Sequence, residues 1–308
     1  MKKRSLLTFI STIAIIILSL TGCGNGGEAT PADQNKTLTE PVQIFTLTGV
    51  GEETLSSMPK GFDVRVFQKN DEIITQILNN DFDLAIVPAN AAAKLYQQSG
   101  GEVVAISPID LNGWYIISNK GNITSQQISD LRGKTIVAYG QGGTGEAILS
   151  KLLDDNYINP KFGVRMQWVD TPTAVMDALK KTNTIGLLQE PFATQALEMS
   201  SSSNGLTSDI DLGALWEDKY GFPVPSDVLV ANKKFVEKRS GDLELFITAF
   251  ETSLATAKES STAKLVFYGR SNRGIDLMTK YMDLMQVYDI SLLGGVSPAV
   301  SFYYGIGE

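Results

Sequence analysis

A pattern of strand, turn and helix occurs twice in this sequence, about one hundred residues apart. In the first copy, the β-rich run Asp63–Gln68 and the apolar run Asp83–Pro88 are each followed by a helical pattern. In the second copy, Val164–Val169 and Thr184–Gln189 are arranged in the same way. The repetition predicts an internally duplicated α/β fold of two lobes, each a mainly parallel sheet flanked by helices.

Each copy also has an upstream run that enters a glycine-bearing turn, Val42–Glu53 in the first and Thr135–Ala147 in the second. Because parallel strands end at the same edge of a sheet, we expect the turns that follow them to face a ligand cleft between the lobes. These turns are residues 46–50, 69–71, 88–91, 140–144, 170–173 and 190–191.

Two β-rich segments, Asn112–Lys120 and Pro225–Phe235, are interpreted as paired crossing strands between the lobes. The predicted boundaries are 41–117 and 226–308 for the first lobe, with the second lobe, 118–225, inserted between them. Two apolar stripes at helical spacing near the C-terminus predict buried helix faces. The stripes are Leu243, Phe246, Phe250 and Leu254, and Met278, Tyr281, Met282 and Met285.

The N-terminus has the pattern of an export signal. Lys2, Lys3 and Arg4 precede an uncharged, mostly apolar run of 15 residues, Leu6–Leu20, which is too short for an ordinary membrane span. The following Leu-Thr-Gly-Cys resembles a bacterial lipobox, which predicts a signal peptide at 1–22, lipidation of Cys23 and a flexible tether at 23–40. The alternative is a plain signal peptide with an incidental cysteine. Two acyl chains on Cys23 would hold the mature protein on the outer side of the bacterial cell membrane.

The composition narrows the classes of function. Histidine is absent and cysteine occurs once, so the chain lacks the commonest catalytic side chains and the usual zinc ligands. Removal of residues 1–22 takes three cations from a chain of net charge −8 and leaves −11, which argues against a nucleic-acid partner. We therefore predict a protein that is not an enzyme, with no catalytic residues, no metal site and no cofactor.

Gly140, Gly142 and Gly145 have the G-x-G-x-x-G spacing of a dinucleotide-binding loop, and Asp170 stands roughly where a ribose-binding acid could be. This pattern keeps an NAD-linked oxidoreductase as an alternative. Export argues against it, because dinucleotides are scarce outside the cell and no histidine is present as an acid or base. The loop also fits a tight strand-to-helix turn whose free N–H groups hold another small ligand.

Several segments occur together in one order: a lipobox, DFDLAIVPAN, ISDLRGKTIVAYGQGGTGEAILSKLL, DTPTAVMDALKKTNTIGLLQEPFATQAL and PSDVLVANKKFVEK. They resemble the solute-binding proteins of bacterial ABC importers, in the nitrate, sulfonate, taurine and thiamine-precursor branch of the periplasmic-binding protein type 2 fold. The resemblance covers most of residues 41–260. One departure is the first ligand loop, TLTGVGEET, which lacks the longer apolar helix of the family after its glycine.

The resemblance implies a monomeric, two-lobe protein that closes on a small molecule and delivers it to a membrane permease and, through it, to the ATPase subunits. A lipid-anchored sensor of the same fold is an alternative. A related enzyme that synthesises a pyrimidine from its own histidine is disfavoured because histidine is absent.

Nine residues in the predicted turns and crossing strand are candidate ligand contacts. Each has an alternative role: Thr144 and Asn90 can cap helices, Glu190 can be an exposed acid at a helix start, and Trp114 can pack against the hinge. The candidates are Thr48, Gly49, Asn90, Trp114, Gln141, Gly142, Gly143, Thr144 and Glu190.

The predicted ligand class follows from the charges in these turns. No arginine lies in any of them, which disfavours a sulfonate or another strongly acidic solute. Glu190 and Trp114 together favour an amine-bearing or heteroaromatic solute, such as a thiamine-type pyrimidine.

Overall fold

A computed structural model of the chain describes residues 37–79, 82–119, 121–200, 205–269 and 271–305. The predicted signal peptide, Cys23 and most of the predicted tether lie outside these residues. Among the described residues, no helix combines the length and the apolar character needed to cross a bilayer.

Strands and helices alternate through most of the described chain. The strands are β1 Val42–Leu47, β2 Phe62–Phe67, β3 Leu84–Pro88, β4 Val103–Pro108, β5 Asp110–Leu111, β6 Trp114–Asn119, β7 Thr135–Ala138, β8 Arg165–Trp168, β9 Ile185–Gln189, β10 Leu206–Asp211, β11 Asp227–Asn232 and β12 Lys264–Leu265. The helices are α1 Val50–Leu55, α2 Asn70–Asn79, α3 Ala89–Gln98, α4 Thr144–Asp155, α5 Pro172–Leu179, α6 Phe192–Glu198, α7 Leu212–Tyr220, α8 Lys233–Lys238, α9 Ser240–Lys258 and α10 Asn272–Asp289. Short 3₁₀ turns occur at Ile128–Leu131, Ile290–Leu293 and Val300–Phe302.

The two main sheets have the same topology. The first has the order β2-β1-β3-β11-β4 and the second the order β8-β7-β9-β6-β10. In each sheet the first three strands are parallel, and the fourth is antiparallel to both of its neighbours. The predicted duplication and the predicted two-lobe α/β fold are therefore confirmed.

The prediction that the two crossing segments form strands paired with each other is wrong. β6 lies in the second sheet and β11 in the first, at equivalent positions. The two chain passages meet where they cross, through a bridge between Leu111 and Pro225 and hydrogen bonds that join residues 109–112 to residues 224–227. The predicted boundary at residue 117 consequently falls inside β6, because the chain enters the second sheet at Trp114.

The predicted apolar stripes lie on α9 and α10, and all eight of their residues are buried. Helix α5 also begins as its sequence predicts. Thr171 is its N-cap and accepts a hydrogen bond from the Ala174 N–H at 3.2 Å, and Pro172 is its first residue.

Candidate functional site

A cleft opens between the two sheets, where the parallel strands of both end. In each sheet the antiparallel fourth strand begins at this same edge, because Asp227 pairs with Pro88 and Trp114 pairs with Gln189. The first residues of β11 and β6 therefore join the strand ends of β1, β3, β7 and β9 at the cleft. The lining residues are Thr46, Leu47, Thr48, Val50, Gly51, Gln68, Asn70, Ile86, Pro88, Trp114, Tyr139, Gly140, Gly143, Thr144, Gln189 and Asp227.

An aromatic pair forms one part of the cleft wall. Trp114 and Tyr139 are stacked, with ring centroids 5.9 Å apart and an angle of 29° between the ring planes. The Trp114 indole is 5 % exposed, and its Nε1 has no hydrogen-bond partner among the described residues. An aromatic face and a free N–H donor at a buried wall suit a planar ligand that carries a hydrogen-bond acceptor.

Gly145 provides the room for this arrangement. A Cβ atom at residue 145 would lie 2.4 Å from Cζ3 of Trp114, so any larger residue would displace the ring. Gly145, the third glycine of the G-x-G-x-x-G pattern, therefore allows Trp114 to pack against the start of α4.

The buried carboxylate of Asp110 and the partly buried carboxylate of Asp227 meet beside the aromatic pair. The Asp227 backbone N–H donates to Oδ1 of Asp110 at 2.7 Å, and Nε2 of Gln189 donates to Oδ2 of Asp110 at 3.1 Å and to Oδ2 of Asp227 at 2.8 Å. Burial raises the pKa of Asp227 to about 6. Burial and the neighbouring Asp227 carboxylate raise the pKa of Asp110 well above its usual range. Of the two, Asp227 lines the cleft.

The rest of the lining is uncharged. It consists of aliphatic side chains and of polar side chains such as Thr46, Gln68 and Asn70, and it contains no lysine or arginine. Among the described residues that line the cleft, Asp227 is therefore the only aspartate, glutamate, lysine or arginine. Its ionised form presents a negative charge to a ligand.

Four of the nine predicted contacts line the cleft: Thr48, Trp114, Gly143 and Thr144. The Thr48 hydroxyl donates to Oε2 of Glu52 at 2.8 Å. The Thr144 hydroxyl donates to the Ser226 carbonyl at 2.8 Å and accepts from the Ala89 N–H at 3.1 Å. These hydrogen bonds connect the start of α4 to the first lobe.

Two other predicted contacts connect the lobes. Asn90 is fully buried, and its Nδ2 donates to the Gly142 carbonyl at 2.6 Å. The Gly142 N–H donates in turn to Oε2 of Glu146 at 2.6 Å. A carboxylate of the chain itself thus occupies an N–H that a dinucleotide phosphate would need at this helix start.

The remaining three predicted contacts do not line the cleft. Gly49 precedes α1 at φ 108°, with Phe192 of the second lobe 3.0 Å from the position of a Cβ. Gln141 is exposed at the outer edge of the cleft. Glu190 is buried at the start of α6, not exposed as the alternative role required, and it accepts hydrogen bonds from the N–H and hydroxyl of Thr194 and from the hydroxyl of Thr262.

Asp170, the residue at the position of a ribose-binding acid, forms an ion pair with Lys69 of the first lobe at 2.9 Å. Nearby, Nδ2 of Asn70 donates to the carbonyls of Gly140 at 3.1 Å and Gln141 at 3.3 Å. These contacts join the outer edges of the two lobes over the cleft.

Sequence reasoning missed Asp110, Asp227, Gln189 and Tyr139. Gln189 is the last residue of the apolar run that forms β9, and Tyr139 directly follows the apolar run that forms β7. Their positions at the ends of parallel strands could have predicted that they line the cleft. The two aspartates lie 117 residues apart, in the crossing passages, and no local pattern indicates that they meet.

A model of the NMT1/THI5-like family matches residues 59–262, which is more than half of the chain, and the chain therefore belongs to this family. No curated protein sequence matches the chain.

Solved structures of binding proteins share the fold. The alkanesulfonate-binding protein SsuA from Xanthomonas axonopodis pv. citri, bound to MOPS, has a TM-score of 0.60 at 10 % identity over 86 % of this chain and 96 % of its own. An ABC transporter protein from Parabacteroides distasonis has a TM-score of 0.57 at 16 % identity over 85 % and 98 %. The periplasmic aliphatic sulphonate binding protein SsuA from Escherichia coli has a TM-score of 0.56 at 16 % identity over 84 % of each chain.

Proposed function

We propose that this chain is the membrane-anchored, extracytoplasmic solute-binding component of an ABC importer. It binds a small polar or heteroaromatic solute between its lobes and delivers it to the permease. The observation that carries the proposal is the interlobe cleft, which combines a stacked aromatic pair, a partly buried carboxylate and uncharged polar groups. Family membership and the shared fold of ABC binding proteins support the same function.

The ligand class that we propose is an amine-bearing or heteroaromatic solute. A sulfonate is disfavoured because the cleft lining contains no arginine or lysine to pair with it, and Asp227 would repel it. The carboxylate that selects the solute is Asp227 rather than Glu190, since Glu190 is engaged by Thr194 and Thr262.

The test is to identify the small molecule that is carried through purification and to measure its effect on the protein. We expect this solute to raise the melting temperature and to reduce the radius of gyration in small-angle scattering, because it stabilises the closed form. Stabilisation by taurine or nitrate, together with no response to aminopyrimidines, would contradict the proposed ligand class.

The proposed anchor is tested separately. Cys23→Ser removes the single thiol of the chain, so the variant should lose incorporation of labelled palmitate and leave the membrane fraction. Retention of both properties by the variant would contradict lipidation at Cys23.

A further inference from the structure

Among the residues that the structure describes, no cation pairs with Asp110 or Asp227. The groups that face the pair are the Gln189 amide, the Asp227 backbone N–H and the buried phenol of Tyr139. Lys264 lies on the neighbouring strand β12, opposite Leu111, but its side chain is exposed.

The other charged side chain near the pair, Glu190, is itself a carboxylate and cannot compensate the charge of Asp110 and Asp227. Glu190 follows Gln189 directly, and its carboxylate accepts hydrogen bonds from Thr194 and Thr262. Two carboxylates that share one amide donor and no cation cannot both ionise without a large cost, so the ligand-free pair retains a proton.

A bound cation changes this balance. Asp227, Trp114 and Tyr139 line the same cleft, so a cation that contacts this aromatic pair there also lies near the carboxylate. Aromatic faces attract delocalised cations, and this attraction is strongest where water is excluded. The carboxylate and the aromatic pair therefore favour the same kind of ligand.

We propose that Asp227 is the counter-charge for a planar aromatic cation, which competes with a proton for the Asp227 carboxylate. The inference rests on the proposed function and specifies the ligand of the same cleft. The step is balanced: where Asp227 is protonated, one proton leaves it to solvent as the cation enters and only the O–H bond breaks, and where Asp227 is already ionised no proton moves.

The pH dependence has a defined direction. The cation binds the ionised form of Asp227, whose pKa is raised to about 6 by burial, so binding weakens as pH falls through this value. For one such group, the expected loss of affinity between pH 7 and pH 5 is about tenfold.

The test uses two probes of the same shape with the full chain in detergent. 4-Amino-1-methylpyridinium carries a permanent charge that does not titrate, and 4-methylaniline is its uncharged isostere at pH 7.5. We expect calorimetry to show that the pyridinium binds at least about tenfold more tightly than the aniline. Its affinity should fall about tenfold from pH 7 to pH 5, and near pH 6 its binding enthalpy should vary with the ionisation enthalpy of the buffer.

A conservative variant locates the effect. Asp227→Asn keeps an oxygen acceptor for Gln189 and removes the charge, so it should lose the preference for the pyridinium and the pH dependence below pH 7. Asp218→Asn changes an exposed acid outside the cleft and should behave as the wild type.

The proposal would be overturned by equal affinity for the two probes, by no binding of either, or by a flat pH profile of the wild type. All three outcomes are measured on the wild-type protein, so they do not depend on whether a variant folds. If the protein closes on a co-purified neutral or acidic solute instead, the proposed transport function stands and this inference fails.

Discussion

Asp227 occupies a position that is costly for the folded protein in the absence of ligand. Burial disfavours its ionised form, and the nearest groups offer one amide donor and a second carboxylate. Residues that bind a charged solute often carry such a cost, because the ligand supplies the missing partner.

Asp227→Asn should therefore stabilise the ligand-free protein at high pH. The raised pKa of the folded state means that the cost is absent below the ordinary pKa of an aspartate, grows up to about pH 6 and persists above it. Denaturant unfolding should show a gain of about 3 kcal/mol for the variant at pH 8 and a smaller gain of about 1 kcal/mol at pH 4.5. A variant that is less stable than the wild type at pH 8 would contradict this account of the site.

Gly145 fixes the position of Trp114 through its lack of a side chain. Gly145→Ala should cost about 1–3 kcal/mol of unfolding free energy, because the new Cβ would overlap the indole ring. It should also weaken binding of a solute that stacks on that ring as we propose. Gly241→Ala is the matched control, since Gly241 is likewise the second residue of a helix but has open space around it. Thermal unfolding of both variants would refute the argument if Gly145→Ala were as stable as Gly241→Ala.

Helix α5 shows what local sequence determines. Thr171 caps the helix and Pro172 opens it, and both interactions lie within four residues of the chain. Thr171→Ala should lower the unfolding free energy by about 1 kcal/mol, because the Ala174 N–H loses its acceptor. Thr173→Ala, at an exposed position of the same helix turn, should be neutral in the same denaturant titration. Equal losses for both variants would argue against a capping role.

The elements themselves were predictable because their signals are local. Runs such as Asp83–Pro88 and Thr184–Gln189 have the length and apolar character of buried strands, and they form β3 and β9. Their repetition along the chain also predicted the duplicated topology that the two sheets share.

The pairing of distant segments was not predictable in the same way. The crossing segments have the composition of strands, but composition does not reveal that β6 joins β9 and β11 joins β3. Parts of the candidate site were unpredictable for the same reason. Asp110 and Asp227 are in contact because the two chain passages between the lobes cross there. The Glu190 carboxylate accepts a hydrogen bond from Thr262, which is distant in sequence, and does not line the cleft.

Some of the contacts that join the two lobes lie outside the lining of the cleft. Asn90 of α3 holds the loop before α4 through its hydrogen bond to the Gly142 carbonyl. At the outer edge, Lys69 pairs with Asp170, but both side chains are largely exposed and such a pair contributes little. The buried amide is therefore the stronger link between the lobes.

Asn90→Ala should weaken solute binding although Asn90 does not line the cleft. Its hydrogen bonds form only when the lobes are together, so their loss shifts the population toward open forms and reduces the apparent affinity by about tenfold. Small-angle scattering should show a larger radius of gyration for the ligand-free variant than for the wild type. Gln141→Ala, which removes an exposed side chain at the edge of the same cleft, is the control and should leave both quantities unchanged. An Asn90→Ala protein that folds normally and binds with wild-type affinity would show that the buried amide does not control closure.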